Sequence, residues 1–512
     1  MKTKFKKLAA VLMVAVLLLC AIPFTASADV VSGDCGEDIS WMFNTETGVL
    51  EIIGEGSMTF FNRNIPWKSY NSSIKKVKIS TGITNIGEAV FYECKSLTDV
   101  SIPNTVTTIE ESAFYYCESL VNITIPDSVT TIGNSAFDFC TGLKTVNIPN
   151  GVTTIGSEAF YNCKSLTSIT IPSSVTNIGS LAFSWCESLT SITIPNGVTT
   201  IGSNAFASCK GLTKIEIPGT VTTIGRGAFS GCENLESVAI PEGITVLEES
   251  TFDSCKKLKK VLLPNSLQVI GVEAFDECKS LESIKIPAGV TEIGESAFSE
   301  CSRLKSITVP DSVTTLGRYA FYHCDDLVNV RLGKGVVSIG EHAFGDCESL
   351  ESLIFPESLT VLSWGVVQES VNLKSITIPV GVTTIEPYVS YDCDNLTDVY
   401  YTGSESQWNS IDISDNGNDI LLGATVHYDY VVPEIPADEE FDDYSEDDYY
   451  AEDDGDKNFA DDADADETDD EDDDDDSREG GSGLLAVLAI VFILMVAAGV
   501  AVVLVIKKKK NA

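Results

Sequence analysis

A repeat of 23 residues constrains the fold of this 512-residue chain more than any other feature. Ser370 and Cys393 occupy the last two positions of a column that is otherwise filled by cysteine. A sequence with such a fixed period folds as stacked copies of one unit, because a single unit is too small to bury its own apolar side chains. The earlier cysteines of the column are Cys94, Cys117, Cys140, Cys163, Cys186, Cys209, Cys232, Cys255, Cys278, Cys301, Cys324 and Cys347.

The unit spanning residues 166–188 illustrates the role of each part of the repeat. Ile169 and Ile171 alternate with polar residues, the period of two that is typical of a strand with one buried face. Pro172 then ends the strand, because proline has no N–H to donate to a ladder. A second short extended piece follows, and the motif Ala-Phe-x-x-Cys, which has helical spacing, predicts a single tight turn.

These units predict a leucine-rich-repeat solenoid over residues 74–401, with a parallel β-sheet on one face and short turns or helical turns on the other. Fifteen strand motifs at roughly 4.8 Å per rung give a stack about 67 Å long. The two open ends of such a stack need covering. Residues 29–73 and 402–436 break the repeat and are rich in large apolar residues. We therefore predict an N-terminal β cap and a C-terminal cap.

The repeat resembles that of the BspA-like leucine-rich-repeat surface proteins of bacteria. The motif Ile-Pro-x-x-Val-Thr-x-Ile-Gly-x-x-Ala-Phe-x-x-Cys-x-x-Leu runs nearly unbroken through residues 74–401. The two ends also look like those of the family, at residues 32–36 and 400–408. The resemblance implies an exported adhesion or binding protein. The family has no catalytic residues to carry over, so we expect no enzyme activity.

The two ends of the chain predict export and membrane anchoring. Residues 1–28 have the charged start, apolar centre and small-residue cleavage site of a signal peptide. Residues 484–506 are 23 uncharged residues, long enough for one transmembrane helix, and the basic tail 507–512 places the C-terminus in the cytoplasm. The sequence thus predicts a single-pass protein of the cell membrane with its N-terminal region outside the cell.

The charge of the chain excludes one class of partner. The formal net charge is −43, whereas nucleic acid requires a basic face. Residues 437–479 hold 26 Asp or Glu against two basic residues, a net of −24. We therefore predict that residues 437–483 form an acidic disordered linker.

Neither the histidines nor the cysteines form a pattern that predicts chemistry. The three histidines of the chain stand near no nucleophile motif and no phosphate-binding loop. The cysteine spacing does not converge as metal ligands do, so we predict neither a metal nor a cofactor. Stacked side chains point in parallel, which leaves the sulfurs roughly 5 Å apart against ~2 Å in a disulfide bond. We predict that the cysteines are free thiols that fill the core as small apolar groups.

Aromatic residues occupy the two positions before the cysteine in the N-terminal repeats, where other repeats have Asp, Ser, Glu or Gly. These positions predict outward side chains that bind a surface protein or a glycan of the host or of another microbe. Alternatively, the rings fold over the turns and only cover the core. A glycan-capturing protein would need exposed, coplanar rings, whereas an adhesion protein would tolerate any face. The predicted ligand-binding residues, termed the aromatic ridge below, are Tyr92, Tyr115, Tyr116, Phe139, Tyr161 and Trp185.

Deletion variants test the predicted organisation. Removing residues 166–188, one internal unit, should leave a soluble and folded protein, because each rung contacts only its neighbours. Removing residues 29–73 should expose the end of the sheet and cause aggregation. Size-exclusion chromatography and circular dichroism distinguish the two outcomes. Equal tolerance of both deletions would show that the N-terminal segment is not a cap.

Overall fold

The computed structural model describes residues 29–58 and 65–433. The predicted signal peptide, acidic linker, transmembrane helix and basic tail lie outside these residues. No helix within the two described ranges is both long and apolar enough to cross a membrane.

Residues 74–401 form a solenoid in which the repeats supply short strands to two parallel ladders. In the first ladder, each residue pairs with the residue 23 positions later, as Val146 does with Ile169. This ladder contains the strands Lys76–Ile79, Asp99–Ser101, Asn122–Ile123, Thr145–Asn147, Ser168–Thr170, Ser191–Thr193, Lys214–Glu216, Ser237–Ala239, Lys260–Leu262, Ser306–Thr308, Asn329–Arg331, Ser352–Ile354, Ser375–Ile378, Asp398–Tyr401 and Thr425–His427.

The second ladder has the same register, as in the pairing of Ile178 with Ile201. Several threonines that stand directly before these strands also bond across rungs. Their hydroxyls donate to the backbone carbonyl of the equivalent threonine in the previous rung, as Thr199 Oγ1 does to Thr176 O at 3.2 Å. The strands of this ladder are Asn85–Ile86, Thr108–Ile109, Thr131–Ile132, Thr154–Ile155, Asn177–Ile178, Thr200–Ile201, Thr223–Ile224, Val246–Leu247, Val269–Ile270, Glu292–Ile293, Thr315–Leu316, Ser338–Ile339, Val361–Leu362, Thr384–Ile385 and Asp412–Ile413.

The core between the ladders is a set of columns, one for each apolar position of the repeat. The phenylalanines stack along the solenoid, for example Phe160 on Phe183 with ring centroids 5.5 Å apart and planes 1° apart. Residues 283–286 lack regular strand pairing, yet Ile284 and Ile286 remain buried. The apolar columns therefore continue through a local gap in the first ladder.

The cysteines line this core as free thiols, as the parallel geometry of the stack predicts. All fourteen cysteines of the described residues are buried and unpaired. The repeat cysteines from Cys117 to Cys347 also donate a hydrogen bond to the phenylalanine carbonyl of the previous rung, such as Cys186 Sγ to Phe160 O at 3.3 Å. Ser370 Oγ makes the same bond to Phe344 O at 3.0 Å, which explains why serine fits this position. The column requires a small donor rather than only a small apolar group.

The N-terminal segment extends the first ladder. Its strands Val30–Asp34, Ile39–Asn44 and Val49–Gly54 are antiparallel, and the last pairs in parallel with Lys76–Ile79. A 3₁₀ helix, Lys68–Ser73, leads into the repeats. Trp67, fully buried, stacks on Phe91 at 6.3 Å and so continues the phenylalanine column.

The C-terminal segment adds one further rung. Its strand Asp412–Ile413 joins the second ladder and Thr425–His427 joins the first. Two short helices, α1 (Glu405–Trp408) and α2 (Asp419–Gly423), connect these strands. The stack thus extends beyond the Tyr401 boundary predicted from the sequence.

The third side of the solenoid, termed the turn side, runs from the second ladder to the cysteine of each repeat. It contains hydrogen-bonded turns and no helix between residues 74 and 401, so of the two structures predicted there only the short turns form. Two residues of every repeat, one and five positions before the cysteine column, have positive φ, for example Ser208 at 58° and Gly231 at 70°. Most of these residues are not glycine, although the left-handed region favours glycine.

Substitution of Ser208 tests this conformation. Ser208→Gly should raise the free energy of unfolding by about 0.5–1 kcal/mol, because the relief of left-handed strain exceeds the entropy cost of glycine. Ser208→Val should lower it by about 1–2 kcal/mol, since β-branched residues fit this region poorly. Thermal and urea unfolding of both variants measure the difference. The opposite order would mean that contacts of the Ser208 side chain outweigh the backbone strain.

Candidate binding surface on the turn side

Five of the six rings of the aromatic ridge, from Tyr92 to Tyr161, are in contact along the turn side. Tyr92 lies parallel to Tyr115, with centroids 5.0 Å and planes 4° apart. Tyr116 lies on Phe139 at 4.3 Å and 9°. Backbone hydrogen bonds fix the spacing, since Tyr116 N donates to Asp138 O at 2.9 Å.

Other rings of the ridge meet at steep angles. Tyr115 contacts Tyr116 edge-on at 4.7 Å and 64°, and Tyr161 contacts Phe139 at 5.6 Å and 57°. Trp185, one rung beyond Tyr161, is 40% exposed. Lys164 Nζ lies 5.8 Å from the centroid of its ring. The ridge is therefore continuous from Tyr92 to Tyr161, but it is not flat.

The sequence left two alternatives open, namely outward rings that bind a partner and rings that only cover the core. The observed burial of the ridge rings lies between the two. Five of the six rings are half-buried and only Trp185 is exposed. The parallel pairs cover each other's faces, so much of what they present to solvent is ring edge. Aromatic pairs contribute about 0.5–1.5 kcal/mol each beyond their buried area. The ridge rings thus contribute to stability as well as forming a surface.

A buried carboxyl group lies within the ridge. Asp138 is only 3% exposed, and its Oδ1 atom has no hydrogen-bond partner. Burial, together with the charge of Glu158, raises the pKa of Asp138 to about 7. Burial and the charge of Asp138 in turn raise the pKa of Tyr115 to about 12 and that of Tyr161 above its ordinary value.

Two further polar atoms of the same rungs also lack partners. The Oδ1 atom of Asn162 and the Oγ atom of Ser184 are buried without a hydrogen bond. Sequence reasoning missed these residues and Asp138, because polar residues are common at these positions in other repeats. One feature of the sequence could have indicated the burial of Asp138. This residue stands in the same column as Tyr115 and Tyr161, between the two tyrosines.

A second aromatic cluster lies on the turn side nearer the C-terminus. The sequence places Tyr319, Tyr322 and His323 there, and the structure adds four further rings. His342 stacks on Tyr319 at 4.9 Å and 3° because both stand five positions before the cysteine column. The added rings are His342, Trp364, Tyr388 and Tyr391.

Burial and ion pairing determine the environment of several titratable groups of the solenoid. Burial raises the pKa of Cys186 and Cys232 to about 12, which keeps these thiols protonated. Within residues 29–58 and 65–433, no group of three or more His, Cys, Asp or Glu is placed to hold a metal ion. His323 instead contacts two carboxylates, Asp346 at 2.8 Å and Asp325 at 3.2 Å.

The family of the chain follows from its repeats. The family model for the BspA-type leucine-rich-repeat region matches residues 68–189, 177–302 and 268–397, together well over half of the chain. The chain belongs to the BspA-type leucine-rich-repeat family. Proteins of this family are typically found at the cell surface and act through interactions with other molecules. No curated protein matches the chain.

Solved structures of bacterial leucine-rich-repeat proteins are similar to this one. A leucine-rich-repeat protein from Bacteroides ovatus is 28% identical, covers 77% of this chain and 98% of its own, and has a TM-score of 0.53. One from Eubacterium ventriosum is 27% identical, with coverage of 64% and 92% and a TM-score of 0.44. A leucine-rich cell surface protein from Faecalibacterium prausnitzii is 25% identical, with coverage of 77% and 98% and a TM-score of 0.35.

The buried carboxyl group predicts a pH dependence of stability. The folded chain keeps the proton of Asp138 up to a pH of about 7, whereas the unfolded chain releases it near the ordinary value of 3.8. The contribution of Asp138 to stability is therefore greatest at low pH and is lost as the pH rises towards 7. Asp138→Asn should unfold at a higher temperature than the wild type at pH 8, with a smaller change between pH 5 and 8.

Asp253→Asn is the matched control for this experiment. Asp253 stands at the same position of its repeat, but its carboxylate accepts hydrogen bonds from Ser230 at 3.0 Å and Ser254 at 2.9 Å. Differential scanning calorimetry of the three proteins gives the unfolding temperatures. Identical pH profiles for Asp138→Asn and the wild type would show that Asp138 is ionised in the folded protein throughout this range.

Proposed function

We propose that this chain is an exported, membrane-anchored surface protein, without enzyme activity, that binds a protein on a host or microbial surface through the aromatic ridge. One observation carries the proposal, namely that rings in contact span four consecutive rungs on the turn side and that the exposed Trp185 follows on the fifth. The same positions hold Asp, Ser, Glu or Gly in most other repeats, so the fold does not require rings there.

The ridge has the properties of a protein-binding surface. Tyrosine and tryptophan are enriched among the residues that dominate binding energy in protein interfaces. Stacked rings on hydrogen-bonded turns are held in place before binding, which reduces the entropy lost on association. The exposed Trp185 would supply an anchor at one end of the ridge.

The ring geometry favours a protein partner over a glycan. A sugar ring stacks on a free aromatic face, but Tyr116 and Phe139 cover each other's faces, and the neighbouring rings are inclined by 57° and 64°. A protein partner can pack its side chains against ring edges as well as faces. Capture of glycans therefore remains the weaker alternative.

The proposed location at the membrane rests on the sequence. Residues 1–28 have the pattern of a signal peptide, and residues 484–506 are long and apolar enough to span a bilayer. Fractionation of cells that express the full chain, followed by protease treatment of intact cells, tests the proposed orientation. Complete resistance of residues 29–433 to external protease would contradict it.

Adhesion of cells that display the full chain tests the role of the ridge. The variant Tyr116→Ser, Phe139→Ser, Trp185→Ser removes three rings at positions that all have positive φ, a conformation that serine already adopts at Ser208 and Ser254. We expect at least tenfold weaker attachment to immobilised host or microbial surface proteins, because buried aromatic residues dominate binding energy. Attachment is counted under flow, and a glycan array is probed in parallel.

Glu277→Ser together with Glu300→Ser is the matched control, since both residues stand at the same position of their repeats and also have positive φ. This variant should attach as the wild type does. If the triple variant stays folded and attaches normally, the ridge is not the binding surface. If the triple variant loses binding to the glycan array but still attaches to the immobilised proteins, the result would favour glycan capture by the ridge.

A further inference from the structure

The charges of the rungs between residues 256 and 305 are sorted onto different sides of the solenoid. Six of the seven acidic residues in this range lie on the second ladder or on the turn side, and Glu282 is the exception. All eight basic residues lie in the loop after the cysteine column or along the first ladder. A chain with a formal charge of −43 therefore presents a local surface that is strongly basic. We term this surface the basic patch, formed by Lys256, Lys257, Lys259, Lys285, Arg303 and Lys305, all of them exposed.

Three cations of the basic patch stand on the rungs that flank one carboxylate, Glu282. Lys305 Nζ lies 2.7 Å from Glu282 Oε2. The hydrogen bond from Lys305 and its charge, followed by the charges of Arg303 and Lys259, hold the pKa of Glu282 below its ordinary value. Glu282 is itself at the surface, with half of its side chain exposed. These cations come from two rungs, on either side of the rung that bears Glu282.

The fold does not require cations at these positions. The position of Lys257 and Arg303 is serine, glycine or asparagine in most other repeats, and the position of Lys259 and Lys305 is often threonine. Pairing between rungs accounts for Lys305, with its partner Glu282, and for Lys256, which lies 3.7 Å from Glu233. This pairing leaves an excess of positive charge in the patch, because the patch has more cations than neighbouring carboxylates.

We propose that the basic patch binds a linear polysaccharide bearing carboxylate or sulfate groups, with Lys259, Arg303 and Lys305 around one anionic group. Lys305 already holds the Glu282 carboxylate at 2.7 Å, and Lys259 occupies the same column one rung before Glu282. The guanidinium of Arg303 can bind such a group through two parallel hydrogen bonds. Rungs repeat at about 4.8 Å, so Lys259 and Lys305 stand about 10 Å apart and can meet charges spaced along an extended chain.

A slender chain fits this surface better than other polyanions do. It can lie along the loops and the first ladder without approaching the carboxylates of the second ladder and turn side. Duplex nucleic acid or an acidic protein would present a broader negative surface to a molecule that is itself strongly negative, and would be repelled.

Heparin and polygalacturonate, as sulfated and carboxylated probes, test the proposal on the purified full chain. Binding measured by calorimetry at low salt should weaken steeply as salt is raised, because binding releases counterions. Lys259→Gln with Arg303→Gln should weaken binding at least tenfold. Glu282→Gln should strengthen it several-fold, since this change removes the competing carboxylate. Effects of opposite sign are expected from these two changes, because Glu282 competes with the ligand for the cations.

Lys374→Gln is the control for net charge. Lys374 stands at the same position of its repeat as Lys305 and pairs with Glu351 at 2.8 Å, but lies outside the patch. Binding of both probes should be unchanged in this variant. An equal loss in Lys374→Gln, or no response to Glu282→Gln, would overturn the proposal. Tighter binding of polyglutamate or of a DNA duplex than of either polysaccharide would also overturn it. The ridge variants leave the patch intact, so failure here is separate from failure of the adhesion proposal.

Discussion

The solenoid depends on the transfer of hydrogen bonds and apolar contacts from each rung to the next. Strand pairing, threonine hydroxyls and cysteine thiols all bond across one repeat of 23 residues. A rung on its own would expose both the phenylalanine faces and the backbone groups that its neighbours cover. The near-constant spacing in the sequence is the consequence, because each apolar side chain has to meet its counterpart on the next rung.

The same constraint leaves the outward positions free to vary. Inward positions repeat almost without change, whereas the positions before the cysteine range from glycine to tryptophan. Each outward side chain is nevertheless held at the rung spacing, so that neighbouring choices combine into surfaces. The aromatic ridge and the basic patch are two such surfaces on different sides of one rigid framework.

The turn side shows that the framework requires positive φ at two positions of each repeat. Residues such as Trp185 at 62° and Tyr116 at 59° adopt a conformation that is unfavourable for them in isolation. The hydrogen bonds from rung to rung, such as Trp185 N to Ala207 O at 2.8 Å, hold the backbone in this state. The helical spacing of Ala-Phe-x-x-Cys therefore does not produce a helix, because backbone hydrogen bonds between rungs form in place of those within a helix.

The sequence alone determined the solenoid, its parallel register and the free state of the thiols, since these follow from period and stacking geometry. It also located the six ridge residues, because an aromatic residue in a polar column is visible without coordinates. Only the tertiary structure decided how the rings tilt, that Asp138 is buried without a partner, and that His342 and Trp364 join one cluster. It likewise decided that Lys305 pairs with Glu282 at 2.7 Å. The physical reason is that the period fixes which residues become neighbours, whereas burial and side-chain contacts depend on how neighbouring rungs pack.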